Sequence, residues 1–330
     1  MKTLVIGGVN FIGKLLVAEL VKAGHEVTVL HRRPGHDHGK KVSNITADRN
    51  DGEGIKRALA GQNFELVYDN VYDWERGTTA AHVEATVRAV ANNHLKRYVY
   101  MSSVAAYGDG LNHHEGDALA PDDHPDSYIR NKATSERLLF RMHQRHGIPV
   151  VTIRPPYIYG PGNPYYREAF FWDRLRDGRP VIIPGDGRRL MQFVHVKDVV
   201  WACIAVIEDT HSVGHAFNIA NARPVTQVDA VLAMAEAAAK KAPELVRIPR
   251  ERILKAGGHP MGPQLYFGVY FDMPPITQVI AKAQRVLKFK PADFGAGLKE
   301  TYRWYSRHHV KPAGDYAFED SLLTRLQVAG

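Results

Sequence analysis

The hydrophobic positions at the start of the chain fall into three apolar segments. Residues 2–6 form a β-branched run that is typical of a buried strand. After a glycine-containing turn, residues 14–23 carry apolar side chains at helical spacing, and Gly24 marks the end of that helix. Residues 26–30 are a second apolar run. This order of strand, turn, helix and strand predicts one half of a doubly wound α/β fold.

The same alternation continues through the first two thirds of the chain. Further strands are predicted at 42–47, 64–71, 97–102, 149–154, 191–196 and 216–219. Further helices are predicted at 55–60, 78–93, 127–146, 197–208 and 225–241. Residues 108–126 are predicted to be a polar loop, and residues 155–166, rich in Pro, Gly and Tyr, to be irregular. Strands alternating with helices predict a parallel sheet with right-handed crossovers.

The change of character at Pro155 predicts two discontinuous regions. A dinucleotide-binding domain is expected to comprise residues 1–155 and 190–222. A smaller substrate-binding region is expected to comprise residues 156–189 and 223–330.

The first turn has the chemistry of a diphosphate cradle. Glycines at its start allow the backbone to approach an anion where a Cβ would collide, and free N–H groups at the helix N-terminus face that anion. Asn10 stands where a middle glycine is usual, and we expect it to cap the helix or to adopt a positive φ. The predicted cofactor-binding residues of the turn are Gly7, Gly8, Asn10, Phe11, Ile12 and Gly13. The alternative is an ordinary βαβ turn that binds nothing.

Composition and charge narrow the class of protein. With 330 residues, 45% hydrophobic and 24% charged, the chain has the composition of a globular protein, and no apolar run reaches the length of a membrane span. Cys203 is the single cysteine, which excludes a disulfide framework and favours a cytoplasmic location. The net charge of +8 favours acidic partners such as nucleotides, phosphorylated substrates or RNA. No metal site is predicted, because the loop with His31, His36 and His38 lacks further ligands.

A tyrosine and a lysine are separated by one helical turn in the predicted helix 127–146. Tyr128 and Lys132 share a helix face, and Ser102 and Ser103 end the preceding strand at the carboxyl edge of the sheet. A phenol of pKa near 10 is a poor base, but a neighbouring ammonium and a nicotinamide ring favour the phenolate. These residues therefore suit hydride transfer at a secondary alcohol, with Ser103 holding the substrate oxygen. The alternative is a capped surface helix whose tyrosine packs on the sheet.

The chain resembles the extended short-chain dehydrogenases/reductases, which include nucleotide-sugar epimerases and dehydratases. The matching segments are the N-terminal GGVNFIG, MSSVAAYG at 101–108, YIRNK at 128–132, RPPYIYGPG at 154–162 and FVHVKDVV at 193–200. The resemblance implies a Rossmann fold, with Ser103 orienting the substrate, Tyr128 as the acid/base and Lys132 also holding the nicotinamide ribose. It further implies cofactor contacts from Asp48, Val71, Tyr72, Ser102, Tyr128 and Pro155. A homodimer packed through residues 78–93 and 127–146 is expected.

Departures from the family pattern bear on the substrate. Val104 and Ala105 stand where dehydratases of this family carry an Asp-Glu pair, so dehydration is disfavoured. Tyr157 replaces the usual Asn, and Met191 replaces a diphosphate-binding Arg. The neighbouring Arg188 and Arg189 are candidates to substitute for that arginine, or are exposed loop charges. The predicted substrate-binding residues are Ser103, Tyr157, Arg189 and Met191.

The expected function is an NAD(P)-dependent epimerase of a sugar-like substrate that works through a transient ketone. An NADP-dependent reductase or dehydrogenase of a secondary alcohol or ketone is the first alternative, because it uses the same residues. A second alternative is RNA binding, since GGVNFIG, IPGDG at 183–187 and QFVHV at 192–196 also resemble the chloroplast stem-loop RNA-binding proteins. The positive charge of the chain agrees with that reading, whereas the intact Ser, Tyr and Lys set favours an enzyme.

The end of the second predicted strand bears on the choice of cofactor. An acidic residue there binds the ribose 2′-hydroxyl of NAD, whereas arginine receives the 2′-phosphate of NADP. This chain has His31, Arg32 and Arg33 and no carboxylate at that place, which favours NADP over NAD. The alternative is a basic loop turned to solvent.

We predict that replacing Arg32 and Arg33 by Ala weakens NADPH binding more than NADH binding, because only NADPH carries the phosphate that the guanidinium groups would contact. Titration calorimetry with both nucleotides measures the difference. Equal losses for the two would refute the 2′-phosphate assignment.

Overall fold

A parallel seven-stranded sheet forms the centre of the computed structural model, which describes residues 1–310 and 316–327. The strands are β1 Lys2–Ile6, β2 Glu26–His31, β3 Val42–Thr46, β4 Leu66–Asp69, β5 Arg97–Met101, β6 Gly110–His113, β7 Val150–Arg154, β8 Tyr157–Tyr159, β9 Val181–Pro184, β10 Leu190–Met191, β11 Phe193–His195, β12 His215–Asn218, β13 Val225–Thr226, β14 Leu245–Ile248 and β15 Ile276–Gln278. The helices are α1 Phe11–Lys22, α2 Gly52–Leu59, α3 Ala80–Val90, α4 Ser127–His146, α5 Glu168–Arg176, α6 Val196–Glu208, α7 Gln227–Ala237, α8 Arg250–Lys255, α9 Ala281–Val286, α10 Phe294–His308 and α11 Ala317–Gln327.

The order of the strands across the sheet is β3, β2, β1, β4, β5, β7 and β12. Each neighbouring pair is parallel, so the carboxyl ends of all seven strands lie at one edge. The order reverses direction between β1 and β4, which creates a crevice at the place where open α/β sheets bind ligands. The predicted α/β class with a doubly wound parallel sheet is confirmed.

Apolar side chains cover both faces of this sheet. On one face Leu16 of α1 and Val199 of α6 are fully buried against the strands. On the other face the corresponding layer includes Ile55 of α2, Val83 of α3 and Leu139 of α4. The strands read as nearly continuous hydrophobic runs because both of their faces are buried.

A second hydrophobic core lies outside the sheet. It is built by α5, α7 and α10 together with short strands, and its fully buried members include Phe171, Ile183 and Val231. Residues 280–289 were assigned to the smaller region by the sequence, but Ile280 and Phe289 pack in the core of the main sheet. The division of the chain into two discontinuous regions stays a prediction.

Three loop or strand predictions were wrong. The segment 155–166 contains β8, which pairs in parallel with β11. The predicted strand 191–196 is divided into two strands. Strand β11 pairs with β8, whereas β10 pairs with β13. The predicted loop 108–126 contains β6, which pairs with β15. These strands have two to four residues each, and their partners are distant in sequence, so no local periodicity marks them.

Several predicted bounds also shift. Helix α1 begins at Phe11 rather than at residue 14, directly after the glycine turn. Strand β4 ends at Asp69, two residues early, because its carboxylate turns to a buried partner, Arg49. Helix α3 is shorter than the predicted 78–93, since Thr79 caps its N-terminus. Among the described residues, no helix combines the length and the apolar character that crossing a bilayer requires.

We predict that Gly13→Ala lowers the free energy of unfolding by at least about 2 kcal/mol, since overpacking has costs of this size. A Cβ at Gly13 would lie under 3.0 Å from the Gly7 carbonyl oxygen, so the helix and the turn must separate. Gly24→Ala is the matched control, because its Cβ meets nothing within 4 Å and its φ of +81° costs about 1 kcal/mol. Urea unfolding measures both variants, and equal losses would contradict the packing role.

Candidate active site

The glycine turn leaves bare backbone at the start of α1. Gly7 has a φ of +82°, and a Cβ there would collide with Val71, which follows β4. A Cβ at Gly8 would lie under 3.0 Å from the Val29 side chain. Only glycine fits both places, and the exposed amides at the N-terminus of a twelve-residue helix fit a dinucleotide diphosphate. The turn predicted from the sequence is therefore suited to NAD(P).

The expectation for Asn10 was wrong. Its φ is −139°, and its side chain makes no capping hydrogen bond to α1. The positive φ of this turn belongs to Gly7 and to Phe11, at 38°. Phe11 and Ile12 form the first turn of the helix, so Asn10 contributes extended backbone to the cradle.

The loop after β2 folds back onto the glycine turn. His38 Nε2 lies 2.8 Å from the Gly8 carbonyl oxygen, and Asp37 forms an ion pair with Lys14 of α1. His31 is buried at the end of β2, where its Nδ1 accepts a hydrogen bond from the Arg33 amide at 3.3 Å. In the described part of the chain, no group of three His, Cys, Asp or Glu residues is arranged to hold a metal ion.

The predicted adenosine side of the site is strongly charged. Asp48 forms a 2.8 Å ion pair with Arg76, which also bonds to Asp73 at 2.6 Å. Arg32 lies 3.5 Å from the same Asp73 carboxylate, and the side chains of both Arg32 and Arg33 are exposed. The two basic residues at the end of β2 therefore differ, because Arg32 already has an acidic partner.

Helix α4 positions the predicted acid/base residues. The Asp126 carboxylate caps the helix by accepting hydrogen bonds from the amides of Tyr128 at 2.8 Å and Ile129 at 3.1 Å. Lys132 follows one turn later and donates from Nζ to the Met101 carbonyl oxygen at 2.6 Å. Its Nζ lies 5.9 Å from the centre of the Tyr128 ring. Tyr128 and Lys132 thus meet at the carboxyl end of β5, as their spacing predicted.

Burial dominates the electrostatics of this pair. It raises the pKa of Tyr128 well above its usual value, while a hydrogen bond with the Ser103 hydroxyl and the charge of Arg167 act in the opposite direction. Burial also lowers the pKa of Lys132 to about 8. The sequence named Lys132 as the cation that favours the phenolate, and that role stays a prediction. The charge of Arg167, which the sequence did not suggest, lowers the pKa of Tyr128.

The two serines at the end of β5 face different partners. The Ser103 hydroxyl accepts a hydrogen bond from the Ala105 amide at 3.1 Å and interacts with Tyr128. The Ser102 hydroxyl donates to the buried Glu136 of α4. The side chain of Ser102 is thus committed to the protein interior, and its predicted cofactor contact stays a prediction.

The predicted substrate-binding residues Tyr157, Arg189 and Met191 contact other parts of the protein, and their role in binding stays a prediction. Tyr157 donates from its hydroxyl to the Tyr270 carbonyl oxygen at 2.6 Å. Arg189 instead contacts Asp272, at 3.2 Å to the carbonyl oxygen, and Met191 is buried in the second core. Pro155 bonds through its carbonyl oxygen to the Val104 amide at 3.0 Å.

Sequence reasoning missed four residues beside Tyr128. The Trp74 ring stacks on the Tyr128 ring with centroids 4.7 Å apart, although Trp74 is 48% exposed. Tyr165 and Tyr270 contact Trp74, at 6.1 and 5.6 Å between ring centroids. Arg167 lies behind them, 4.5 Å from the Tyr165 ring. The density of tyrosine in segment 155–166 is a signal for Tyr165 alone among these four, and no local pattern marks the other three.

A glycine cradle beside a Ser, Tyr and Lys set at the switch point of a doubly wound sheet is the arrangement of the extended short-chain dehydrogenases/reductases. Comparisons with known proteins agree: the sequence model of the NAD dependent epimerase/dehydratase family matches residues 3–220. The chain therefore belongs to the NAD dependent epimerase/dehydratase family. The predicted resemblance and the class of NAD(P)-dependent enzyme are confirmed at this level.

Individual relatives cover nearly the whole chain. The chloroplast stem-loop binding protein of 41 kDa b from Arabidopsis thaliana is 32% identical over 98% of this chain and 84% of its own length. A dTDP-glucose 4,6-dehydratase from an Actinoplanes species is 27% identical over 92% of this chain and 98% of its own. The structure of MoeE5 in complex with UDP-glucose and NAD is 26% identical, with a TM-score of 0.70 and coverage of 93% and 99%. This chain is similar both to proteins described as enzymes and to one described as a stem-loop binding protein.

We predict that Lys132→Met stabilises the cofactor-free protein at pH 7, by an amount on the order of 3 kcal/mol if the whole pKa shift is expressed. The lysine has a pKa of about 8 when folded against 10.5 for the model group, so the unfolded chain binds more protons between these values. The free energy of unfolding of the wild-type protein should therefore rise with pH across this window. The stability advantage of Lys132→Met should disappear at the upper end of the window.

Denaturant unfolding from pH 7 to 10.5 measures this difference. Lys40→Met is the control, because Lys40 is exposed and its removal should have an effect that is independent of pH. If the free energies of unfolding of Lys132→Met and wild type differ by the same amount at every pH, burial does not destabilise the charged form of Lys132.

Proposed function

We propose that the protein is an NAD(P)-dependent sugar epimerase that acts through a transient ketone. The observation that carries this proposal is the contact of Tyr128 with Ser103 on one side and its closeness to Lys132 on the other, beside the glycine turn. A nucleotide sugar is the proposed substrate class, since the structural relative MoeE5 is described with UDP-glucose and NAD.

NAD(P), when bound, supplies the acceptor and donor of hydride. In our proposal the Tyr128 phenolic oxygen takes the proton from the substrate hydroxyl and later returns it. Ser103 would hold the same oxygen of the substrate. Lys132 and Tyr72 would line the nicotinamide side of the cofactor site, and the Lys132 Nζ lies 5.5 Å from the centre of the Tyr72 ring. Gly7, Gly8 and Gly13 would hold the diphosphate.

A dehydratase activity is not proposed, although one relative is a dTDP-glucose 4,6-dehydratase. Elimination of water needs an acid and a base near the substrate carbons. The residues after Ser103 are Val104 and Ala105, which carry no ionisable group. Redox chemistry at one carbon requires only the residues that are present.

A reductase or dehydrogenase is the alternative outcome for the same residues. An epimerase returns the hydride to the carbon from which it came, so it keeps its cofactor and needs none added. A reductase consumes NADPH in proportion to product. The mass of any nucleotide released from the denatured, purified protein separates the two, and it also tests the preference for NADP that we propose from Arg33 and its exposure.

We further propose a cytoplasmic homodimer. Helices α3 and α4 pack side by side, and the cleft between them includes Ala81, Glu84 and Leu138. The family resemblance implies a dimer that packs through the outer surface of these two helices. The single cysteine, Cys203, is buried and agrees with a reducing compartment.

RNA binding is the second candidate function, and a specific observation favours it. The relative with 32% identity over 98% of this chain is described as a stem-loop binding protein. The net charge of +8 agrees with contacts to phosphates. Binding of a stem-loop RNA that weakens steeply as salt is raised, and that is unchanged in a Tyr128→Phe variant, would support this function over the enzyme.

We predict that Tyr128→Phe lowers kcat by about 100-fold or more, because general acid–base catalysis contributes at least this much. NAD+ affinity should change by less than about twofold, since the glycine turn and Lys132 retain their proposed contacts with the nucleotide and the lost hydroxyl is proposed to act in proton transfer. The measurements are turnover of a nucleotide sugar that the wild-type protein converts, and titration calorimetry with NAD+.

Tyr302→Phe is the matched control for this experiment. It removes the same hydroxyl group from a tyrosine on α10, which packs near Trp172 in the second core. Turnover comparable to wild type in both variants would exclude Tyr128 from proton transfer.

A further inference from the structure

A buried arginine lies in a chamber of aromatic rings above the proposed reaction site. The aromatic chamber consists of Trp74, Tyr157, Tyr165, Tyr270 and Phe271, and Arg167 occupies it with 8% exposure. The chamber adjoins Tyr128, because Trp74 stacks on the Tyr128 ring at 4.7 Å. A cation is thus held close enough to the phenol for its charge to act on Tyr128.

The guanidinium of Arg167 packs on aromatic rings, and only one of its three nitrogens donates a hydrogen bond within the described residues. Its carbon lies 4.5 Å from the Tyr165 ring centre and 5.3 Å from that of Tyr157. Its Nε donates to the Val269 carbonyl oxygen at 3.3 Å. Within the described residues, neither Nη nitrogen donates a hydrogen bond. Cation–π contacts stabilise the charge, and the four N–H groups of the two Nη atoms have no protein acceptor within the described residues, so they remain open to solvent or to a ligand.

No carboxylate neutralises Arg167 within 4 Å in the described part of the chain. Glu168 is next in sequence, but its carboxylate accepts a hydrogen bond from Asn163 at 2.9 Å, and its other oxygen has no partner. A buried and unpaired charge is costly, so such groups are normally paired in native structures. The missing partner of Arg167 is therefore expected to be a ligand.

Other arginines of this region already have acidic partners. Arg250 donates from Nε to Asp272 at 2.8 Å, and Arg189 contacts the same residue. Arg174 is paired with Glu319 at 2.7 Å. Arg189, which the sequence offered as the substitute for a diphosphate-binding arginine, thus shares the Asp272 carboxylate with Arg250, at 3.4 Å.

We propose that Arg167 binds an oxyanion of the substrate, a phosphate or a carboxylate, inside the aromatic chamber. This inference rests on the proposed function for the identity of the substrate, but the anion site itself does not depend on turnover. A guanidinium offers two parallel N–H groups to a phosphate or carboxylate, and exclusion of water by the rings strengthens that contact. The ring faces of Trp74 and Tyr270 then suit the apolar face of a sugar.

The backbone agrees with a built site at this place. Tyr270 has a φ of 67°, a conformation that is unfavourable for a bulky residue and that surrounding contacts must enforce. Its amide bonds to the Pro260 carbonyl oxygen at 2.9 Å, and its carbonyl oxygen accepts from Tyr157. These bonds hold the Tyr270 ring against Arg167, whose guanidinium carbon lies 5.6 Å from the centre of that ring.

Titration calorimetry of the NAD+-saturated protein tests the proposal, since bound NAD+ keeps diphosphate probes away from the glycine turn. The probes are inorganic pyrophosphate, UDP-glucose and UDP-glucuronic acid. We expect Arg167→Gln to weaken at least one of them by 10-fold or more, and Arg167→Lys to weaken it less, because the lysine keeps the charge without the fork. Arg145→Gln removes an exposed charge from the last turn of α4, where no binding role is proposed, and should change each affinity by less than twofold.

The pattern across probes identifies the source of the oxyanion. Equal weakening of pyrophosphate and both UDP-sugars indicates a diphosphate, whereas weakening of UDP-glucuronic acid alone indicates a sugar carboxylate. Unchanged NAD+ affinity and thermal unfolding show that the variants are folded. The proposal is overturned if no probe binds the wild-type protein, or if Arg167→Gln and Arg167→Lys bind all three as wild type does. Loss of probe binding in a protein that converts no sugar would retain the anion site and reject the epimerase.

Discussion

The position of the reacting residues depends on one buried carboxylate. Glu136 of α4 is fully buried and accepts hydrogen bonds from Ser102 at the end of β5 and from Thr152 and Arg154 of β7. A charge in this place is tolerated only because all of these donors reach it. The same bonds hold α4 against the ends of two strands. Lys132, one turn earlier on the helix, is thereby held against the carbonyl end of β5.

Residues that depend on local pattern were the ones that sequence could predict. The glycine turn, the parallel strands and the spacing of Tyr128 and Lys132 all follow from periodicity or from short motifs. The error at Asn10 also has a local cause. A positive φ is expected at this polar residue from its place in the turn, but Gly7 and Phe11 adopt the positive φ instead. Strands of two to four residues, such as β8 and β6, gave no such signal, since distant partners hold them.

The surroundings of Tyr128 could not be predicted in the same way. Trp74, Arg167 and Tyr270 come from three loops separated by about a hundred residues each, and no spacing rule connects them. The electrostatic surroundings of Tyr128 were beyond the reach of sequence for a related reason. The pKa of a phenol depends on burial and on every nearby charge, and spacing could not place Arg167, which is distant in sequence, beside it.

The exposed ring of Trp74 has a practical consequence. It stacks on the phenol of Tyr128 and touches the rings that surround Arg167. Indole emission responds to the polarity and contacts of its surroundings, so the molecule carries an intrinsic optical reporter at the entrance to its own site. Comparison with a Trp74→Phe protein would separate that signal from the three other tryptophans, and occupancy could be followed in real time without a label.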